Sequence, residues 1–329
     1  MKQFGYARAE SVEQALNTLT STSSARYLGG GTNLIDLMKL GVLSPDLLVD
    51  VRALPLDQIT EQPDGSVRIG AAVTNSDLAV DPLIRQRFPA VSQAVLAGAS
   101  GQLRNVATVG GNLMQQTRCS YFMDVSKPCN RRAPGTGCPA RTGEHHNHAI
   151  LGASEHCIAT SPSDLAVPLA AFDAQLVLHG SDGESTVPIS EFYRLPGDQP
   201  DQLTTVADGT LVVGVLLPAS DLAGRSRYRK VRERASYAFA IGSVAAAISV
   251  TDGVIGDARL AWGAVAAVPW RARLAERALI GQPASTASFR AAAQAELAHA
   301  EPLTGNSYKV ELLSNLTVEV LTELVEASA

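Results

Sequence analysis

Three consecutive glycines, Gly29-Gly30-Gly31, stand between a short extended run (residues 25–28) and a helical pattern at residues 34–41, LIDLMKLG. Glycines at such a junction let the backbone approach a ligand closely, and the free N–H groups of the helix start favour a phosphate. Thr32 and Asn33 follow as caps and side-chain donors, and Gly41 ends the helix. The apolar run LLVDV at 47–51 reads as a buried strand, so strand, glycine turn, helix and strand succeed one another as a βαβ unit. Asp50 closes that strand where a dinucleotide fold for NAD would place its ribose-binding acid. The NAD fingerprint is G-x-G-x-x-G, however, whereas position 34 is Leu, and no series of further βαβ units follows. NAD therefore ranks second to another phosphate-bearing ligand.

A second small-residue turn lies at 106–113, VATVGGNL, and can bring further N–H groups to a phosphate. Two such loops, in different subdomains, suit a ligand with a pyrophosphate in its middle. Between and beyond them the pattern is mixed. Ser11 caps a helix at 12–20, and Pro63-Asp64-Gly65 turns into a strand at 67–73. Thr74 with Asp77 resembles a capping box, and a helix at 91–99 runs towards Gly101. A helix is expected at 165–172, a hairpin about Asp182-Gly183 and a strand at 211–217. From Tyr228 the pattern shifts to apolar runs at 238–250 and 260–267, then Ala-rich helices at 271–280, 287–298 and 308–327. A second domain begins near residue 221, and there is no internal repeat.

All four cysteines, Cys119, Cys129, Cys138 and Cys157, fall in one stretch, together with His145, His146, His148 and His156. Residues 116–160 show neither helical nor strand periodicity, and a loop that long inside a domain is usually functional. Disulfide frameworks belong to small secreted domains poor in core, and this chain of 329 residues, 46% hydrophobic, is no such domain. Four thiolates suit a zinc ion or an iron–sulfur cubane. Structural zinc ligands come in close pairs on a turn, whereas the pattern here is Cys-x9-Cys-x8-Cys-x18-Cys. The wide spacing favours the larger object, with zinc kept as the alternative; the histidines read as polar loop residues.

With a formal charge of −5 and no clustered basic face, the chain lacks a nucleic-acid footprint. No apolar run reaches the ~20 residues of a membrane span. The first residues hold no apolar signal core, which points to the cytoplasm; a protein exported already folded on a partner's signal would read the same and be periplasmic.

Residues 27–34 (YLGGGTNL), 107–113 (ATVGGNL), Ser161-Pro162-Ser163-Asp164 and 228–240 (YRKVRERASYAFA) together resemble the FAD-binding medium subunit of the xanthine dehydrogenase and aldehyde oxidoreductase family of molybdenum hydroxylases. The resemblance spans nearly the whole chain. It implies an α+β protein with a vanillyl-alcohol oxidase (PCMH)-type FAD-binding domain at 1–220 and a C-terminal α+β flavoprotein domain at 221–329. The first would comprise a βαβ subdomain at 1–55 and a larger subdomain at 56–220 that carries the cysteine-rich insertion 116–160. It further implies that Tyr27, Leu28, Gly29, Gly30, Gly31, Thr32, Asn33 and Leu34 wrap the pyrophosphate of FAD. Thr108, Gly111 and Asn112 would meet phosphate and ribose from the other side, with Ala99 and Leu103 nearby. Asp164 would accept from ribose or ribityl hydroxyls, Leu216 would pack on the flavin ring, and Lys230 would reach its polar edge. The insertion resembles that of periplasmic aldehyde oxidoreductases whose flavin subunit carries an extra [4Fe-4S] cluster, implying Cys119, Cys129, Cys138 and Cys157 as its ligands. No catalytic residue on this chain is implied. The implied partners are a large subunit with the molybdenum cofactor and a small [2Fe-2S] subunit, and the implied task is electron transfer through FAD to an external acceptor. A self-sufficient flavin oxidase of the same fold, or a non-catalytic metal-stabilised assembly module, are the rival readings.

Overall fold

The structure, a computed structural model, describes residues 1–327. Its N-terminal sheet is parallel, with Leu47–Asp50 between Gly5–Arg8 and Ala25–Leu28. The central strand is the most apolar of the three, and Leu48, Val49 and Asp50 are buried. Ser11 caps the helix Val12–Thr20 by accepting the Gln14 N–H at 3.1 Å. The outer strand Gly5–Arg8 (GYAR) is short and largely exposed, so it offers no periodicity for sequence reading to detect.

The larger subdomain is built on an antiparallel sheet in the order Ile59–Glu61, Val67–Gly70, Leu211–Leu217, Gln175–Gly180, Gly183–Pro188. Thr74 caps the helix Asn75–Val80 by accepting the Asp77 N–H at 3.1 Å, and its hydroxyl donates to Asp77 Oδ2 at 2.6 Å in place of the reciprocal backbone bond of a capping box. The next long helix is Pro89–Ala97, ending two residues earlier than its pattern suggests because Gly98 is extended and Ala99 adopts a left-handed φ of 51°. In the strand Leu211–Leu217 the pairing with Gln175–Gly180 shifts at Val177/Leu178, leaving Val213 as the extra residue of a bulge. Leu211, Val213 and Leu216 consequently face the small subdomain, while Val212, Val215 and Leu217 enter the main core.

The C-terminal domain pairs Ser226–Val231, Gly242–Thr251, Val254–Gly263 and Trp270–Arg271 in an antiparallel sheet. Helices Arg273–Leu279, Thr286–Leu297 and Tyr308–Glu326 pack on it, and Trp262 is sealed in that core. Strand Ser226–Val231 also lies against Pro89–Ala97, so its side chains reach back into the first domain.

Lys309 on the last helix is fully buried, its Nζ donating to Ala264 O at 2.8 Å, and burial pushes its amine down to about 7. A lysine whose folded-state pKa is depressed penalises folding below that value. The penalty fades as pH rises from about 7 towards the unfolded value of about 10.4. Lys309→Met should therefore stabilise the chain near neutrality, with the advantage shrinking as pH rises. Denaturant titrations of both proteins along that range check this; an advantage independent of pH would contradict it.

Candidate functional site

The two glycine loops meet backbone to backbone. A Cβ added at Gly30 would fall 1.9 Å from Val106 O, and one at Gly29 would fall 2.8 Å from Thr108 Oγ1. Gly31 has a φ of 75°, which turns the chain into the helix Leu34–Lys39. The N–H groups of Gly30, Gly31, Thr32 and Asn33 find no acceptor among the described residues, which leaves a cluster of donors on one turn. Asn33 adds to it, since its Nδ2 is buried without a partner. The second loop behaves otherwise. Thr108 caps Val109–Leu113 by accepting the Gly111 N–H at 3.2 Å, while the Val109 and Gly110 N–H groups donate to Val73 O and Ala71 O. The N–H groups of Val109, Gly110, Gly111 and Asn112 are thus engaged within the protein, contrary to the expectation that this loop turns its N–H groups to a phosphate. What this loop offers is the bare surface of Gly111 and the side chains of Thr108 and Asn112.

Two cavities, of about 290 and 530 Å³, open on either side of this junction and share Gly31, Thr32, Asn33 and Gly111. Tyr27, Gly29, Gly30, Leu34 and Thr108 line the smaller one, with Leu211 and Val212. Ala99, Leu103, Asn112, Asp164 and Lys230 line the larger. Of the residues expected around FAD, only Leu28 and Leu216 line neither. Leu28 is buried beneath the glycine turn, and Leu216 packs with Val51 and Leu56 against the small subdomain, on the face to which the bulge turns it. A two-lobed space with its waist at a cluster of unengaged N–H groups, within the usual ~300–1,000 Å³ of cofactor pockets, fits a dinucleotide held at its pyrophosphate. Asp50, the acid an NAD site would need, is spent within the protein. Burial alone would raise its carboxyl, but hydrogen bonds from Arg52 and Tyr6 outweigh that and hold it at about 2.

At the inner end of the larger cavity Asp164 receives Tyr228 Oη–H at 2.6 Å on Oδ1 and Lys230 Nζ at 2.7 Å on Oδ2. The Lys230 and Asp164 side chains are only 2% and 10% exposed. The aspartate expected to accept ligand hydroxyls is thus also the anchor that ties the second domain to the first. Sequence reading missed the outer wall. Arg118, paired with Asp36 at 2.9 Å, lies 5.0 Å over the Phe239 ring, and Tyr237 adopts a left-handed φ of 53° beside them. Tyr237 and Phe239 lie in the 228–240 motif but were not read as part of the site, and Arg118 has no local mark; the meeting of the helix Leu34–Lys39, the insertion and the 232–241 segment brings them to the cavity mouth.

Apart from the short helical turns Ser120–Met123 and Pro139–Arg141, the insertion is ordered by polar lacing. Asn130 takes the Gly137 N–H on Oδ1 and donates to His156 O, and Arg132 donates to the carbonyls of Tyr121, Phe122 and Lys127. All four cysteines face one further cavity, which also holds Arg131 and His148. No group of three or more His, Cys, Asp or Glu side chains among the described residues is close enough to bind a single metal ion. Burial pushes the Cys119 thiol up to about 11 and the His148 imidazole down to about 4, and His148 Nε2 lies 3.1 Å from Cys119 Sγ. His156 also lines this cavity and lies opposite Asp198, while His145 accepts from Gly305 N and His146 stacks on Tyr308.

Residues 2–220 match the family described as the FAD binding domain in molybdopterin dehydrogenase, and residues 226–324 match the CO dehydrogenase flavoprotein C-terminal domain. The chain belongs to this family. It is 44% identical to the aldehyde oxidoreductase FAD-binding subunit PaoB of Escherichia coli (strain K12) over 98% of both chains. The putative xanthine dehydrogenase FAD-binding subunit of the same strain is 26% identical over 98% of this chain and 96% of that one. Among solved structures, carbon monoxide dehydrogenase from Hydrogenophaga pseudoflava superposes with a TM-score of 0.75 at 25% identity, covering 98% of this chain and 96% of that one. Quinoline 2-oxidoreductase from Pseudomonas putida 86 gives 0.77 at 23% identity over 99% of each chain, a likeness of fold. The α+β architecture expected of a molybdopterin-dehydrogenase FAD-binding chain is the one observed, and no helix of the described residues is long and apolar enough to cross a membrane.

Proposed function

We propose that this chain is the FAD-carrying electron-transfer subunit of a molybdenum-dependent oxidoreductase complex that oxidises aldehydes. It would be joined to a large subunit with the molybdenum cofactor and a small [2Fe-2S] subunit. The observation that carries the reading is the two-lobed cavity pinched at Gly31, Thr32, Asn33 and Gly111, in a chain of the molybdopterin-dehydrogenase flavin family. The aldehyde assignment rests on the 44% identity to an aldehyde oxidoreductase subunit along the full chain. The N–H groups of Gly30 to Asn33 and Asn33 Nδ2 would hold the pyrophosphate, Tyr27 would flank the adenosine lobe, and Lys230 would set positive charge near the flavin ring. Bound FAD supplies the chemistry of taking electrons singly and giving them up in pairs; the chain binds, orients and tunes it. Purified alone, the protein should show little aldehyde turnover, and adding the two partner subunits should restore it. Robust aldehyde oxidation by the isolated chain would instead mark a self-sufficient oxidase.

The same reading assigns Cys119, Cys129, Cys138 and Cys157 to one [4Fe-4S] cluster. Its support is that all four cysteines line one cavity, in an insertion that begins just past Asn112 and ends just before Asp164. The cluster would chiefly staple a segment that has little core of its own, since metal binding contributes folding energy. Cys129→Ser should remove about four irons per chain, raise protease sensitivity within 116–160, and leave FAD partly bound. One zinc and no iron in anaerobically purified wild type would defeat the cluster while leaving the flavin reading intact.

A further inference from the structure

Arg131 carries a permanent charge into the protein interior beside the four cysteines. It is 7% exposed, and its guanidinium donates only to Gln116 Oε1, at 3.3 and 3.4 Å, and to Pro200 O, at 3.3 Å. All three contacts are long, and both acceptors are neutral. The largely covered Arg271 differs, being paired with Glu276 and Asp173, and Lys230 has Asp164. Lys309 also lacks an acid, but an amine can shed its proton whereas a guanidinium cannot. An unpaired buried charge is costly, so such a side chain persists where an anion faces it. Arg131 lines the same cavity as Cys119, Cys129, Cys138 and Cys157, and no carboxylate bonds its guanidinium.

We propose that Arg131 is the fixed counter-charge of the anionic centre held by the four cysteines, stabilising its reduced form. The inference rests on the [4Fe-4S] reading of that cavity. A cluster on four thiolates is anionic and gains one further negative charge when it takes up an electron, so a neighbouring cation favours the reduced state and raises the reduction potential. Gln116 and Pro200 hold the guanidinium in place without neutralising it, so its charge remains available to the sulfurs. Without a bound centre the guanidinium keeps only its two neutral acceptors, Gln116 and Pro200. The charge that supports the loaded protein then opposes folding of the empty one.

The test compares full-length wild type, Arg131→Met and Arg131→Lys by iron content, by redox titration of the cluster followed by electron paramagnetic resonance, and by thermal unfolding of metal-free protein. Arg131→Met should titrate at a lower potential than wild type and Arg131→Lys close to it. Metal-free Arg131→Met should unfold at a higher temperature than metal-free wild type, a result that a packing role would reverse. An unchanged potential in iron-replete Arg131→Met, or a metal-free Arg131→Met less stable than wild type, overturns the inference and leaves the cluster standing. Wild type without iron removes both.

Discussion

Gly30→Val should leave the protein without FAD. Any Cβ at this position would sit 1.9 Å from Val106 O and 2.6 Å from Val106 C, so even Gly30→Ala must part the two loops. Neither neighbour is the free end of a side chain that could swing aside; both belong to the backbone entering the second loop. Parting the loops moves the N–H groups of Gly30 to Asn33 off the cavity waist. Losing two such bonds to a phosphate, at about 1.5–3 kcal/mol each, weakens binding by about a hundredfold or more. Gly101→Ala is the matched control, because a Cβ there meets nothing within 4 Å and needs no left-handed φ. The flavin-to-protein absorbance ratio after gel filtration reads both. Full FAD occupancy in Gly30→Val would show that the loop contact does not shape the site.

Lys230→Met should be among the most destabilising single changes. It strips the ammonium from a buried pair and leaves the Asp164 carboxylate with only Tyr228 Oη–H and an apolar neighbour. Breaking a buried ion pair from one side costs about 3–5 kcal/mol. That is a large part of the stability of an ordinary domain. The pair also bridges the domains, since Lys230 belongs to Ser226–Val231 and Asp164 precedes the helix Ala166–Ala171. Lys230→Met with Asp164→Asn should recover part of the loss, because the second change removes the stranded charge. Denaturant unfolding of the flavin-free proteins measures this apart from any effect on ligand binding. A single-variant loss below about 1 kcal/mol would place the pair with the weakly contributing surface bridges.

The parts of the site legible in the sequence were those whose chemistry is local. The glycine turn announces itself because strand, glycines, caps and helix are contiguous, and all but one of residues 27–34 line the cavities. The helix cap at Thr74 was readable for the same reason. Leu216 was expected at the flavin from the family resemblance alone, and its place on the face of the small subdomain follows from the bulge at Val213, which spacing does not show. The engaged N–H groups of Gly110 and Gly111 were hidden too, since their acceptors lie some 40 residues earlier, on the chain around Ala71, or on Thr108 itself. Arg118 carries no local signal, and the 228–240 motif marked Tyr237 and Phe239 without assigning them to the site; their position follows from three distant segments meeting at one cavity mouth. The cysteine insertion is an intermediate case: clustering in sequence foretold a shared cavity, but not that Arg131 would be buried in it without an acid.

The central claim is that one dinucleotide flavin lies across both cavities with its pyrophosphate at the glycine waist. Chromatography of the cofactor released by denaturing the purified protein tests this most directly, with the amount set against protein. The account predicts FAD at about one per chain, the single occupancy of one continuous site. FMN alone, which has no pyrophosphate for the waist to hold, or no flavin from soluble folded protein, would contradict it.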